Sequence, residues 1–348
     1  MGDETSTTGG WEALPAIDRP GIFGPGGEPL EVRRFESTGG TGGAVGIEVH
    51  RFVGPEPGPR VVVLGGVHGD EVTGILAAGT LARVGLPLLK GSVEIVPTAH
   101  EVAVAASSRT SPLDGGNLAR SFPGRPDGSP TERVAHLLAT QVLTGVDLLI
   151  DLHTAGRVSD MPFLVGYRAG TVKGGISGRD CAAAFGPDVI WEHPDLAPGR
   201  TVSFVEDAGG VALYTESIGG ECLDPGRVIA YVSGVLRVLS HLGMIDPTDF
   251  PEVMVRTPPK PRVLVGDGDV DAADLVAHHT GYFVSVLDAG DPVRAGELVG
   301  AVTDRYGSVL QRVEATSDGS IVLVRRTARV EVGDRLVVLA AASDHGIS

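Results

Sequence analysis

Three short stretches of this chain carry side chains that could act on one substrate together: His68-Gly-Asp-Glu71, Asp151-Leu-His153 and Thr215-Glu216. A histidine nitrogen and a carboxylate three residues apart can close on one Zn²⁺ from a single turn, and a second histidine completes a His₂Glu set. Such a set leaves a fourth position for water, whose pKa the metal lowers to about 7, so that hydroxide is available at neutral pH. A carboxylate outside the ligand set is then needed to take a proton and later return it. Glu216 is the candidate. Each piece also has a plainer reading: His68 in a solvated turn, His153 as a hydrogen-bonded core histidine, Glu216 as a surface charge. Asp151 reads either as a helix cap or as the acceptor that holds His153 in one tautomer. The joint occurrence is what points to metal-assisted hydrolysis.

The elements around these residues explain how they could meet. Val61 to Leu64 is an apolar, β-branched run, the pattern of a buried strand, and Gly65 and Gly66 allow a sharp exit from it. Val146 to Leu152 and Val211 to Thr215 read as further buried strands, each ending at a candidate residue. Strands are also expected at 92–97, 162–167 and 188–191, and an edge strand or hairpin within 31–53. Helical spacing follows Glu71 (Val72, Ile75, Leu76, Leu81) and recurs over 227–242, and a short helix starts at Thr201. Ser129-Pro130-Thr131-Glu132 is a capping box with proline at the first helical position, opening a helix to about Leu143. Strands alternating with helices predict an α/β fold with a mixed, largely parallel sheet covered on both faces. In open sheets of this kind, ligands bind at the carboxyl ends of the strands.

The totals narrow the class. The 348 residues fit one large domain or two, and a formal charge of −16 argues against nucleic acid and anionic membrane surfaces as partners. Two cysteines, Cys181 and Cys222, are too few for a disulfide framework and suit a reducing cytoplasm. No apolar run is long enough to span a membrane, and the N-terminus lacks the pattern of a signal peptide. Met1-Gly-Asp-Glu-Thr-Ser6 matches the loose myristoylation pattern, but its acidic residues and the lack of a second anchor argue against that use. Residues 1–30 read as a loose Gly- and Pro-rich arm, 31–245 as the catalytic domain, 246–261 as a linker with five prolines, and 262–342 as a small all-β domain of short runs between Gly- and Asp-rich turns.

A loop from about His100 to Asp127 is longer than compact domains usually need, and loops of that length are often functional. It carries Arg109-Thr-Ser-Pro-Leu-Asp-Gly-Gly-Asn117-Leu-Ala-Arg120-Ser-Phe-Pro-Gly124. Two arginines near a metal suit an anionic ligand or a developing oxyanion, and on sequence alone they are equally readable as solvated charges.

Gly66-Val-His68-Gly-Asp-Glu71, Asp151-Leu-His153 and Thr215-Glu216 resemble the two metal motifs and the catalytic-glutamate segment of the succinylglutamate desuccinylase/aspartoacylase family, relatives of the zinc carboxypeptidases. The resemblance covers roughly residues 40–345. It implies a carboxypeptidase-like core, one zinc ion on His68, Glu71 and His153, and Glu216 as the group that activates water. It implies that Arg109 polarises the carbonyl and that Arg120, with Asn117 beside it, holds a small-molecule substrate. The implied reaction is hydrolysis of an N-acyl amino acid or related small amide. The family loop usually reads Asn-Leu-Asn-Arg; here it reads Asn117-Leu-Ala119-Arg120, and Ala119 has no side-chain donor for a carboxylate. The expectation that follows is a substrate whose α-carboxylate is modified, displaced or absent.

The C-terminal runs, with Gly281-Tyr-Phe-Val and Gly290-Asp-Pro-Val-Arg-Ala-Gly296, resemble a lipoyl-like barrel-sandwich. No lysine follows Lys260, so a swinging-arm carrier is excluded. The appendage is expected to edge the active-site mouth, with Tyr282 or Arg305 in reach, or to form a contact in a homo-oligomer. A carboxypeptidase, a zinc-assisted elimination and a non-enzymatic binding protein are the other readings. Ala119 counts against the first, and retention of all four site residues counts against the last.

Overall fold

The computed structural model describes residues 31–38, 42–219, 223–251, 258, 260–268, 270 and 275–343. The expected N-terminal arm lies outside the described residues, as do 252–257 and 259 of the expected linker. In chain order the elements are β1 (Glu31–Ser37), β2 (Val45–Val53), β3 (Glu56–Leu64), α1 (Val72–Val84), β4 (Lys90–Val96), α2 (Glu101–Ala105), α3 (Pro130–Leu137), β5 (Leu148–Leu152), β6 (Ser159–Asp160), β7 (Leu164–Arg168), β8 (Val172–Lys173), β9 (Ile176–Ser177), α4 (Gly178–Phe185), β10 (Val189–His193), α5 (Thr201–Asp207), β11 (Val211–Glu216) and α6 (Pro225–His241). After the Pro-rich segment come β12 (Arg262–Val265), β13 (Leu275–Val276), β14 (Gly281–Ser285), β15 (Pro292–Val293), β16 (Leu298–Thr303), β17 (Val309–Glu314), β18 (Gly319–Arg325), β19 (Arg329–Val330) and β20 (Arg335–Ala342).

The main sheet runs β1-β2-β4-β3-β5-β11-β7-β10-β12 and continues through β20, β18 and β15. β3 is parallel to β4 and β5, and β5 to β11; β7 then enters antiparallel, which makes the sheet mixed. Side chains of a strand alternate between faces, and both faces here are apolar. Val61, Val63, Leu148, Ile150 and Leu213 pack against α1, α4 and α6, with Leu81, Phe185, Tyr231 and Val235. Val62, Leu64, Leu149 and Ala212 pack on the opposite face against α3 and α5, with Val134, Val202 and Val205. Each fully buried Val or Leu is worth roughly 1.5–3 kcal/mol, so both layers hold the sheet against its helices. The mixed, helix-covered sheet is the α/β class that the strand and helix patterning predicts.

Register decides where the chemistry emerges. Asp151 pairs with Leu64 on one side and Tyr214 on the other, and Leu152 pairs with Thr215. Three parallel strands therefore end level, and the residues just beyond them share one rim. Gly66 (φ +67°) turns the chain out of β3, and at Gly69 a Cβ would lie 2.0 Å from the Ala103 carbonyl oxygen, so only glycine admits that approach.

The C-terminal strands add two antiparallel layers. β18 and β20 continue the main sheet, and β17-β16-β14-β19 form a second sheet around a core that includes Phe283, Val302, Ile321, Val324 and Val337. β12 pairs with β10 in parallel and with β20 antiparallel, so one sheet passes from the first region into the second. β6 also pairs with β18. Neither Tyr282 nor Arg305 reaches the catalytic cleft: Tyr282 lies on the second sheet, paired with Thr303 and Arg329, and Arg305 stacks on exposed Tyr306. Among the described residues no helix is long and apolar enough to cross a membrane.

Candidate metal centre and active site

Glu71 sits where the turn after β3 meets α1, and its side chain is fully buried between two histidines. Its Oε1 lies 2.7 Å from His68 Nδ1 and its Oε2 lies 2.8 Å from His153 Nδ1. One ligand atom from each of the three residues falls within 4.8 Å of the others. The backbone N–H of Thr154 donates to Glu71 Oε2 at 3.1 Å, which fixes the carboxylate from the β5 side.

The outer ring nitrogens are committed as well. His153 Nε2 lies 3.1 Å from Asp151 Oδ2, and Thr201 Oγ donates to the same oxygen. Asp151 is thus the acceptor behind His153, the second of its two sequence readings. His68 Nε2 lies 3.1 Å from Asn117 Oδ1, which also accepts the backbone N–H of Ala119 at 3.0 Å. In the tautomer that donates from Nε2, each Nδ1 turns a lone pair toward the Glu71 carboxylate. Lone pair against anion is repulsive unless positive charge stands between them. Two imidazole nitrogens and a carboxylate converging on one point are a donor set that suits zinc, and these residues could hold a metal ion.

The electrostatics agree. Burial alone would raise the Glu71 carboxyl, but the charges and hydrogen bonds of His68 and His153 outweigh it and hold it well below the usual range. Burial alone would lower His153, but Asp151 and Glu71 on either side raise it well above the usual imidazole value. His68 is lowered, chiefly by burial. The Arg109 guanidinium, 2.9 Å from Glu71 Oε1, adds positive charge beside the carboxylate.

Glu216 ends β11 on the same rim. Its carboxyl is pushed up to about 8, first by burial and then by the charge on Glu71. Arg109, Arg120 and Glu216 line a cleft together with His68 and His153. Arg120 donates from Nη1 to the carbonyl of Ala119, its own neighbour, at 2.9 Å. Asn117 is turned toward His68 and does not line that cleft. The loop bearing these residues is pinned by Asp114, whose carboxylate accepts from Thr131 N and Oγ at 2.8 Å each and from Gly116 N at 3.0 Å.

Sequence reasoning missed Arg200, Trp191 and Met161, which line the cleft with Tyr214. Arg200 precedes the short helix α5 with no motif around it. Tyr214 is braced from behind by His193, whose Nε2 lies 2.8 Å from the phenol oxygen while Nδ1 bonds the Gly266 carbonyl at 2.8 Å.

A mixed sheet whose strand ends bring together three residues that could hold a metal ion, with a spare carboxylate and a guanidinium beside them, is an arrangement suited to hydrolysis. The family model of the succinylglutamate desuccinylase/aspartoacylase catalytic domain matches residues 57–242. The N-α-acetyl-L-2,4-diaminobutyric acid deacetylase of Halomonas elongata is 34% identical over 288 residues, 81% of this chain and 82% of that protein. A succinylglutamate desuccinylase from Silicibacter sp. TM1040 superposes with a TM-score of 0.76 at 26% identity, covering 94% of this chain and 97% of its own. The product-bound ectoine utilization protein EutE (DoeB) from Ruegeria pomeroyi gives 0.75 at 26% identity, covering 93% and 96%. The chain belongs to the succinylglutamate desuccinylase/aspartoacylase family, and it is a hydrolytic deacylase acting on amides.

Proposed function

We propose that the protein is a zinc-dependent deacylase that removes the acyl group from an N-acyl amino acid, with one zinc ion on His68, Glu71 and His153. The observation that carries this reading is the convergence of those three residues, within 4.8 Å, in the cleft that Glu216 also lines. When bound, the metal supplies Lewis acidity and a water that ionises near pH 7. Glu216 accepts a proton from the attacking water and returns it to the nitrogen as the C–N bond breaks, giving a carboxylate and a free amine. Its raised pKa suits a group that must both take and give a proton near neutrality. Arg109 donates to the carbonyl oxygen as charge builds there. Asn117 acts behind His68, as a positioning residue for the metal ligand rather than a substrate contact.

The departure at Ala119 takes a different meaning beside Arg200. Arg120 and Arg200 bring two guanidiniums to the same cleft, and such groups can grip a carboxylate without an amide donor at 119. The reading therefore keeps the α-carboxylate, in place of the sequence-based expectation that it is modified, displaced or absent. The acetylated diamino acid named for the Halomonas relative is the first substrate to try. The buried free thiol of Cys181 fits a cytoplasmic setting. The test is a screen of N-acetyl, N-succinyl and N-formyl amino acids with zinc-loaded protein. Turnover that a chelator abolishes and zinc restores is expected; turnover indifferent to the chelator would overturn the zinc assignment.

A further inference from the structure

His153 directly follows β5 and Glu216 ends the neighbouring strand β11, so the backbone just beyond each strand sets where the side chain points. Glu216 has little else to aim it: its Oε2 is buried and accepts no hydrogen bond among the described residues. The two exits are tied to each other. The backbone N–H of Ala155 donates to the Ser217 carbonyl at 3.1 Å, and the Tyr231 phenol lies 2.6 Å from the His153 carbonyl and 3.0 Å from Ser217 Oγ. Gly219 then packs backbone against backbone on the turn after His153. A Cβ there would lie 2.0 Å from the Gly156 carbonyl oxygen and 2.4 Å from that of Ser159, an approach only glycine admits.

A third layer reaches these two segments from far along the chain. Ser159 and Asp160, which form β6, pair antiparallel with Arg325 and Val324 of β18. Just past β18, the backbone N–H groups of Arg326 and Thr327 donate to the Val158 carbonyl at 2.8 and 3.3 Å. Asp160 is the joint between the layers. Its Oδ1 accepts the Gly219 N–H at 3.0 Å, and its Oδ2 accepts from Arg326 Nε at 2.5 Å. Arg326 Nη2 in turn donates to Asp288 Oδ1 at 2.7 Å. Hydrogen bonds between charged partners are roughly twice as strong as neutral ones, so one carboxylate ties the segment behind Glu216 firmly to the C-terminal strands. Neither Asp160 nor Arg326 lines the cleft.

We propose that Asp160, held by Arg326, is a positioning residue for Glu216, and that the C-terminal strands act on the reaction through this link. The inference rests on the deacylase reading above. A general base must lie within hydrogen-bond reach of the proton it takes, and a misplacement of about 1 Å costs about 100-fold in rate. Without Asp160 the Gly219 N–H loses its acceptor, and the loop behind Glu216 loses its fixed point. Glu216 then keeps its chemistry but not its aim.

The test uses the zinc-loaded full chain and N-α-acetyl-2,4-diaminobutyrate. Asp160→Ala and Arg326→Ala should each lower kcat roughly 10- to 100-fold, with KM within about 3-fold of the parent and one zinc per chain. Arg326→Lys keeps a charged donor and should recover part of the loss. The double variant should fall within about 2-fold of the more damaged single variant, because the two residues form one link; losses that multiply would overturn it. Lower thermal stability with kcat unchanged would overturn the positioning role. Zinc lost together with activity would shift the effect to His153 and overturn the assignment to Glu216. Amide hydrogen exchange needs no turnover: the Gly219 N–H should exchange roughly 10-fold faster in Arg326→Ala. Faster exchange supports the link even where the deacylase reading fails. Unchanged exchange overturns it even where deacylation is observed.

Discussion

On one side of the cleft, His68, Glu71, His153 and Glu216 leave the ends of neighbouring strands, or the turn directly behind one. On the other side, Arg109 and Arg120 leave a loop with little regular structure beyond a short 3₁₀ turn over Leu118–Arg120. The first group is held by the sheet. Level strand ends and two apolar layers set the backbone, and the Thr215 hydroxyl and Tyr231 phenol bond the His153 backbone at 3.1 and 2.6 Å. The second group is held by Asp114, which accepts from Thr131 at the start of α3, and by Leu118, Ala119 and Phe122 buried against that helix's layer. The difference separates chemistry that must not move from chemistry that must meet a substrate. The proposed ligand set sits at strand ends within the sheet, while the loop arginines sit on an irregular segment tied to the core by Leu118, Ala119 and Phe122.

That contrast can be broken or sharpened experimentally. The largest expected effect is on the strand side. Glu216→Gln should lower kcat by roughly 10³- to 10⁴-fold while zinc content, measured by elemental analysis, stays at one per chain. His153→Ala should lose both zinc and activity. Next, Arg109→Ala should lower kcat by roughly 10²- to 10³-fold, the size seen when an oxyanion donor is removed, again with zinc retained; a matching loss of zinc would place Arg109 among the structural partners of Glu71. Removing the acceptors behind each group compares the two sides directly. Asp151→Asn should weaken zinc binding about 10- to 100-fold in a competition titration. Asp114→Ala should lower thermal stability by about 1–2 kcal/mol through the stranded N–H and hydroxyl of Thr131, with its catalytic cost in KM more than in zinc affinity.

The smallest effect is on stability at mildly acidic pH. His193, behind the strand-side wall, and His100, 3.3 Å from Thr131 under the loop, are each pushed down to about 4, in both cases chiefly by burial. Both stay neutral in the folded protein while the unfolded chain takes up protons below about pH 6.5. Their contribution is therefore intact above pH 6.5 and is lost as pH falls toward 4, by up to about 1.4 kcal/mol per pH unit for each histidine. Urea unfolding of His193→Gln and His100→Gln between pH 7 and 5 should show a shallower decline for each variant than for the parent. An unchanged decline for one of them would show that its side of the cleft opens to water first.

The same contrast describes what could be read in the residues beforehand. Val61–Leu64, Val146–Leu152 and Val211–Thr215 are visible because a buried parallel strand must be apolar on both faces, and the residues that follow such strands must lie on one rim. His68, Glu71, His153 and Glu216 inherit that legibility. Arg200 had no such signal: a lone arginine before a short helix looks like any solvated charge until it is found lining the same cleft as Arg120. Asn117 was visible as a polar loop residue, but only the fold shows it turned toward His68. The pairing of β12 with both β10 and β20 depends on partners far along the chain, which local patterning does not specify.

That pairing has a consequence for how the chain can be cut. Leu264 and Val265 meet Ala342 and Ala341 across the seam. A protein shortened before β20 would bare the hydrogen-bonding edge of β12, a template on which other chains can stack. The last strand is thus a selvedge for the sheet that carries the site.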